Sequence, residues 1–334
     1  MSEPMLTLFL PRESHTLSGG NLYNRELLAA LRRQVEVATP PIDELWNVLA
    51  RGTAGTYLID TLDLGAAPAI ERRAPGQRFG LLVHHLPSLE PGLRLSDPAR
   101  ELERQVLGRF DFWVTTSTFA RHLLLARDLP SDRVFSVPPG LGAVERGARE
   151  LGSSLSALSA GNLIPRKGLL PLLTALARSV RDDDDFTLSI AGRHDAHPEY
   201  AEACRQLVTN SPRLEKRITF LGAVPPEQMP ALYRQSSLFV SASEMETFGM
   251  ALQEARAFGV PILALDRGNA REHVEVGRTG VLTASLDDLC AALLGFARAT
   301  ETLRPLFDGA ASAPLERRSW DDAAKTLLAA IATL

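Results

Sequence analysis

Two carboxylates, Glu246 and Glu254, stand with seven residues between them in a stretch that reads strand, loop, helix, strand. Leu238, Phe239 and Val240 form an apolar run that ends in Ser241, Ala242 and Ser243, and Glu244–Gly249 makes a loop. Met250, Leu252, Ala255 and Phe258 then recur at near-helical spacing until Gly259 and Pro261 stop the helix. Pro261–Leu265 is the next buried strand. Such a unit is the right-handed parallel crossover, and ligands sit at the carboxyl ends of its strands. The helix N-terminus near Phe248–Met250 presents unpaired N–H groups and partial positive charge, which suit a phosphate. An acid just ahead of that turn and another two turns along could flank a nucleotide diphosphate, one toward each end. An isolated pair of acids reads first as a cap and a solvated helix residue.

Other residues of chemical interest lie at the ends of apolar runs. Gly161–Gly168 carries Arg166 and Lys167 just before a helix over Leu169–Val180. Gly80–Val83 is a buried strand that runs into His84 and His85, with Glu90 in the loop beyond. A lone histidine there is more often structural, and a lone loop acid is more often solvated. Asp60 and Asp63 read as loop solvation and N-capping. Asp182–Asp185 contains a formal D-x-D, but it sits at the amino end of the strand Phe186–Ile190 and reads as a solvated charge run. His194, Asp195 and His197 lack the spacing and third ligand of a metal site. No metal site is expected.

Composition narrows the class. The chain has 334 residues, enough for two domains of ordinary size, with 45% hydrophobic and 23% charged residues, as in soluble globular proteins. No apolar run reaches the ~20 residues of a membrane span. The start, Met1–Pro11, has no basic region followed by a long apolar core, so a secretory signal is not expected. Cys204 and Cys290 both fall in helical patterns and read as reduced core residues of a cytoplasmic protein. A net charge of −4 argues against general nucleic-acid binding. Arg72, Arg73 and Arg78, partly offset by Glu71, offer at most weak peripheral contact with an anionic membrane, which would place the protein at the inner face.

The elements alternate throughout. Strands are expected at Met5–Leu10, Val35–Ala38, Thr56–Asp60, Gly80–Val83, Asp111–Thr116 and Arg133–Val137 in the first half. A polar loop over His15–Gly20 precedes a helix from about Asn21 to Arg33, and Ser117-Thr118 caps a helix over Phe119–Arg127. Leu141–Ser154 is polar and charge-mixed, as a linker should be. The second half continues with Ser156–Ala160, Phe186–Ile190, Ile218–Leu221, the opening unit and a short strand after Gly277. Helices follow over Leu286–Ala297, Leu303–Ala310 and Trp320–Ala332. This divides the chain into domains over 1–145 and 155–315 and a terminal segment over 316–334.

The string E-T-F-G-M-A-L-Q-E, followed by A-x-A-x-G-V-P-I, resembles the E-x7-E signature of family 4-like retaining glycosyltransferases. The likeness extends upstream through GAVPPEQMPALYRQSSLFVSAS and downstream through EHVEVGRTGVL. It implies the GT-B fold: α/β, two Rossmann-like doubly wound parallel-sheet domains facing a central cleft. The first would be the acceptor-side domain and the second the nucleotide-sugar-binding domain, with the terminal helix crossing back to the first. The implied reaction is metal-independent, anomer-retaining transfer, with a hexose the expected sugar, from a nucleotide-diphosphate sugar to a small, glycan or lipid-linked hydroxyl acceptor. No cofactor beyond that co-substrate is implied.

The resemblance also distributes roles. Gly19 and Gly20 would close over the donor phosphates. Lys167 would clasp the leaving diphosphate, with Arg166 supplying the charge of an arginine that the family pattern has where Asn162 stands. Ala223 and Val224 would form the backbone ledge at the base, while Gly268-Asn269-Ala270 resembles a Gly-Gly loop whose second glycine is replaced. Glu246, Thr247, Phe248, Gly249 and Met250 would hold the sugar and phosphates, and Glu254 the ribose hydroxyls. His84 would sit beside the sugar's reactive carbon, with His85 and Glu90 toward the acceptor. A nucleotide-sugar 2-epimerase-like isomerase shares the two-domain fold without this string. A catalytically weak nucleotide-sugar-binding protein is the non-enzymatic alternative, made less remote by Asn162.

Overall fold

The computed structural model describes residues 6–11, 18–94, 96–315 and 318–334. The chain separates into two compact units, Met1–Gly142 with Arg317–Leu334, and Ala143–Glu316. Each is built on a six-stranded, wholly parallel sheet.

In the first unit the strands are β1 (Leu6–Phe9), β2 (Val37–Ala38), β3 (Gly55–Asp60), β4 (Gln77–Val83), β5 (Phe112–Thr115) and β6 (Val134–Ser136), in the order β2-β1-β3-β4-β5-β6. The chain order reverses between β1 and β3, so their carboxyl ends mark a topological switch point. Helices cover the sheet faces, which is why the strands read as continuous apolar runs rather than alternating ones. Phe9, Ile59, Phe79, Leu81 and Val83 are at most 2% exposed in one core. Met5 and residues 12–17 of the expected first strand and loop lie outside the described residues.

The second unit has β7 (Leu155–Ala160), β8 (Phe186–Ala191), β9 (Ile218–Gly222), β10 (Leu238–Ser241), β11 (Ile262–Leu265) and β12 (Gly280–Thr283). Their order is β12-β11-β10-β7-β8-β9, the doubly wound arrangement with its switch point between β7 and β10. Cys204 and Cys290 are buried and free in its core.

Several readings change. Gly19 and Gly20 are not in a loop: they open the helix Gly19–Arg32, whose N-cap Ser18 accepts from the Asn21 amide. Among the segments that pass unread in the sequence are the helices Leu45–Arg51 and Pro98–Val106, and the 3-10 segment Thr61–Arg72, which carries Pro68. The expected linker is fastened to the second unit. Arg146 donates to the carbonyls of Ala257, Ala311 and Ala313, and Arg149 lies over the Phe307 ring while donating to those of Gly259 and Ser236. Nor is the aspartate run uniformly solvated. Asp184 is 2% exposed and takes two hydrogen bonds from Arg298, because a carboxylate next to a core strand must be paired.

The helix Trp320–Ala332 starts in a capping box between Ser319 and Asp322 and packs in the first unit on Gly19–Arg32. Glu316 and Arg317, at the head of the expected terminal segment, lie outside the described residues. No described helix is long and apolar enough to cross a membrane. Of the arginines considered for lipid contact, Arg72 lies over the Trp46 ring. Arg73 is turned onto Asp111 at 3.0 Å.

Candidate functional site

The switch point of the second sheet brings two loops together. The loop leaving β7 ends in a short 3-10 turn, Pro165–Lys167, and the loop leaving β10 spans residues 242–249. Lys167 Nζ meets Glu246 Oε1 at 2.5 Å although the two residues are 79 apart in the chain. Both side chains remain partly accessible, at 24% and 13%. Burial alone would raise the Glu246 carboxyl. The Lys167 charge and hydrogen bond, the Arg166 charge and Ser243 together outweigh it and hold that carboxyl below its ordinary value. Arg166 fastens the same loop by donating to the Met245 carbonyl at 2.8 Å.

The Glu246 loop is held from below by residues 268–273. Gly268 sits at φ +55°, and a Cβ there would stand 2.6 Å from the Glu246 nitrogen and collide with its carbonyl oxygen. Asn269 donates from its backbone to the Glu246 carbonyl (2.8 Å) and from its side chain to the Phe248 carbonyl (2.9 Å). His273 Nε2 lies 2.7 Å from that Phe248 oxygen. Burial drives the His273 ring down to about 4, so near neutrality it is uncharged and donates to the carbonyl. Asn269 thus does with a side chain what no glycine could do. In the sequence His273 falls within the EHVEVGRTGVL likeness but is given no role there.

Gly249, at φ +91°, is the N-cap of the helix Met250–Ala257, and no side chain caps that end. Its first-turn amides are donors of the kind that receive anions. Glu254 is not beside Glu246: it turns under the helix and accepts from the Tyr233 hydroxyl at 2.7 Å. Burial raises its carboxyl, against the opposing effect of that hydrogen bond. Ala223 and Val224 follow Gly222, whose carbonyl accepts from the Gly192 amide, and Val224 packs on the cluster that contains Tyr233. Thr247, Phe248 and Met250 are half-buried in and beside the Glu246 loop.

The first sheet carries its own cluster at the carboxyl ends of β3 and β4. His84 Nε2 lies 2.8 Å from Asn24 Oδ1 and 3.2 Å from Asp60 Oδ2. Asn24 Nδ2 donates to Asp60 at 2.6 Å, and Asp60 also caps the Leu62 amide at 2.8 Å. Asp60 does cap a helix, but at 1% exposure it is buried rather than loop-solvating. Burial would raise its carboxyl, while the His84 charge and the three hydrogen bonds prevail and lower it. Tyr23 packs edge-on to His84 (5.0 Å) and to Trp320 (5.5 Å). His85 Nε2 pairs with Glu90 Oε2 at 2.9 Å. Among the described residues, no group of three or more His, Cys, Asp or Glu side chains is placed to hold a metal ion.

Residues 149–294 match the family described as Glycosyl transferases group 1. The D-inositol 3-phosphate glycosyltransferase of Corynebacterium efficiens is 32% identical over 208 residues, covering 58% of this chain and 49% of the relative. A GDP-mannose-dependent alpha-(1-6)-phosphatidylinositol monomannoside mannosyltransferase of Mycobacterium tuberculosis is 27% identical over 257 residues, covering 71% and 66%. The chain therefore spans about half the length of the first of these relatives. Among solved structures, Anabaena HepE in complex with UDP and glucose superposes with a TM-score of 0.75 at 17% identity, covering 99% of this chain and 100% of that one. The sucrose-phosphate synthase of Thermosynechococcus elongatus gives 0.75 at 17% identity, with 98% of each chain covered. The chain thus has the two-domain, Rossmann-like GT-B fold, and the match to the glycosyl transferases group 1 family lies over residues 149–294.

Proposed function

We propose that the protein is a glycosyltransferase that moves a sugar, a hexose by analogy with its relatives, from a nucleotide-diphosphate sugar to a hydroxyl acceptor. Retention at the anomeric carbon and independence from metal belong to the same reading. The observation that carries it is the Lys167–Glu246 pair at the switch point of the second sheet, beside an uncapped helix N-terminus. Departure of a diphosphate leaves negative charge on the phosphates and cationic character on the sugar ring. Lys167, Arg166 and the first-turn amides after Gly249 answer the former, and Glu246 answers the latter while holding sugar hydroxyls. Before the donor arrives, Lys167 and Glu246 neutralise each other, so neither charge stands buried and unpaired.

Glu254 is assigned to the ribose, and Ala223 and Val224 to the base. Gly19 and Gly20 are assigned to the donor phosphates through their helix-opening amides. To the first unit we assign sugar and acceptor chemistry through His84, His85 and Glu90, on the strength of their place at the carboxyl end of β4. HepE was captured with UDP and glucose, and the mycobacterial relative is named for a mannolipid acceptor; both favour a nucleotide sugar with a glycan or lipid-linked acceptor here.

A thermal-shift panel of nucleoside diphosphates and nucleotide sugars tests the binding half. A ligand present at 100 times its Kd stabilises the folded state by about 2.7 kcal/mol. At least one nucleotide is expected to raise the melting point, and Glu254→Ala to diminish that rise. A panel without any shift overturns the proposal.

A further inference from the structure

The Tyr233–Glu254 contact has a chemistry of its own. Tyr233 is completely buried, stacked on Phe258 at 5.4 Å with 6° between the rings and tilted against Phe239 at 6.0 Å. Packing of that kind asks for a phenylalanine. The added hydroxyl lies 2.7 Å from Glu254 Oε2 and only 3.4 Å from the Ala251 carbonyl, so Glu254 is its principal partner. If Glu254 swung away, the hydroxyl would be left buried and poorly satisfied, an arrangement proteins avoid. Tyr233 therefore fixes the rotamer of Glu254. Oε1 takes no hydrogen bond from any described residue, and the side chain is half-buried rather than sealed.

We infer that Tyr233 positions Glu254 so that one carboxylate oxygen is committed inward and the other meets the paired hydroxyls of a ribose, making Tyr233 the residue that sets selection of ribonucleotides over 2′-deoxyribonucleotides. This rests on the assignment of residues 149–294 to nucleotide-sugar binding. A carboxylate oxygen held in one direction can accept from two adjacent hydroxyls, and it loses one donor when the 2′-hydroxyl is absent. The helix Met229–Gln235 that carries Tyr233 follows directly on the loop holding Ala223 and Val224. Val224, Met229 and Leu232 pack in the same cluster as Tyr233 and Leu252. The ledge assigned to the base and the acceptor assigned to the ribose are thus parts of one packed body. Burial favours the neutral form of Glu254, and the Tyr233 hydrogen bond works against that by favouring the carboxylate.

The test is calorimetric titration of the full chain with UDP against 2′-deoxy-UDP, and GDP against 2′-deoxy-GDP, on wild type, Tyr233→Phe and Glu254→Gln. Loss of one hydrogen bond to a charged group corresponds to a factor of about 10 or more, so wild type should prefer the ribose form of its nucleotide by roughly that ratio. Tyr233→Phe should cut the ratio to within about three-fold, chiefly by weakening the ribose form, and Glu254→Gln should do the same. Melting curves of both variants show whether the packing survives. Equal losses for ribose and deoxyribose forms would make Tyr233 a packing residue only and overturn the inference. So would an unchanged ratio in Tyr233→Phe, or a wild type that binds both forms alike; in these cases the proposed function still stands. If wild type binds neither nucleotide in either form, the proposed function falls as well.

Discussion

The carboxyl edges of the two sheets pair their charges differently. In the first unit the charges meet as carboxylate–histidine pairs: Asp60 is enclosed by Asn24, His84 and the Leu62 amide, and His85 pairs with Glu90 five residues on. In the second, Lys167 and Glu246 come from loops 79 residues apart, and a third loop supports them through Gly268, Asn269 and His273. Both edges lie at switch points, yet among the described residues only the second presents a cation, a carboxylate and uncapped helix amides together. An edge becomes specific when several loops must be correct at once. Such a site is also fragile, and substitutions should expose the asymmetry.

The largest effect is expected from Lys167→Ala. Removing one preorganised group that stabilises transition-state charge typically costs on the order of 10²–10³ in kcat. Turnover of the donor should fall by that order while nucleoside diphosphate affinity changes far less. His84→Ala, in the carboxylate–histidine cluster of the first unit, should lower turnover by a smaller factor, and equal losses would erase the contrast.

Glycines sharpen the comparison on the stability axis. Gly268→Ala drives a Cβ into the Glu246 backbone and strains a left-handed residue, so it should lower unfolding free energy by roughly 3 kcal/mol. Gly20→Ala places a Cβ at 3.4 Å from the His84 ring, an ordinary contact, inside the first turn of a helix. Alanine favours a helix there, so Gly20→Ala should stay within about 1 kcal/mol of wild type. Urea denaturation of both variants checks the pair.

His273 makes the support of the Glu246 loop pH-sensitive. Its folded value, about 4, lies below the ordinary 6.5, so the unfolded chain binds the proton more readily. The stability it contributes is complete above 6.5 and is lost as the pH falls toward 4, by up to about 3 kcal/mol over that window. Glu246, with its lowered value, adds a loss of the same sign only below its ordinary 4.5. Urea titrations at steps from pH 7 to 4 should show the first loss, and His273→Gln should flatten it. A wild-type curve as flat as the variant's contradicts the account. The smallest effect is expected from Glu90→Gln, which keeps an acceptor for His85: melting should barely move.

The same contrast explains what could be read in advance. The described strands were legible chiefly where burial on both faces leaves unbroken apolar runs, as at Leu81–Val83 and Ile262–Leu265. Lys167, Glu246 and Gly249 were legible because chemistry, glycine placement and a following strand coincide within short segments. Asn24 and Asp60 beneath His84, Tyr233 beneath Glu254 and Arg298 on Asp184 were not, since each partnership joins elements distant in sequence. The helix Pro98–Val106 had a visible start in Asp97 and Pro98, but its apolar positions are too few to announce it. The 3-10 segment Thr61–Arg72 hides behind Gly65 and Pro68, which read as breakers.

The central claim is that Glu246, opposite Lys167, acts on the sugar of a nucleotide-diphosphate donor. The most direct measurement is the rate of donor consumption by wild type and Glu246→Ala, using the nucleotide sugar that stabilises the protein best. The account predicts measurable consumption by wild type, falling by about 10²-fold in the variant while nucleoside diphosphate still binds. Equal rates in the two proteins, or none in wild type with every bound nucleotide sugar and a panel of acceptors, would contradict it.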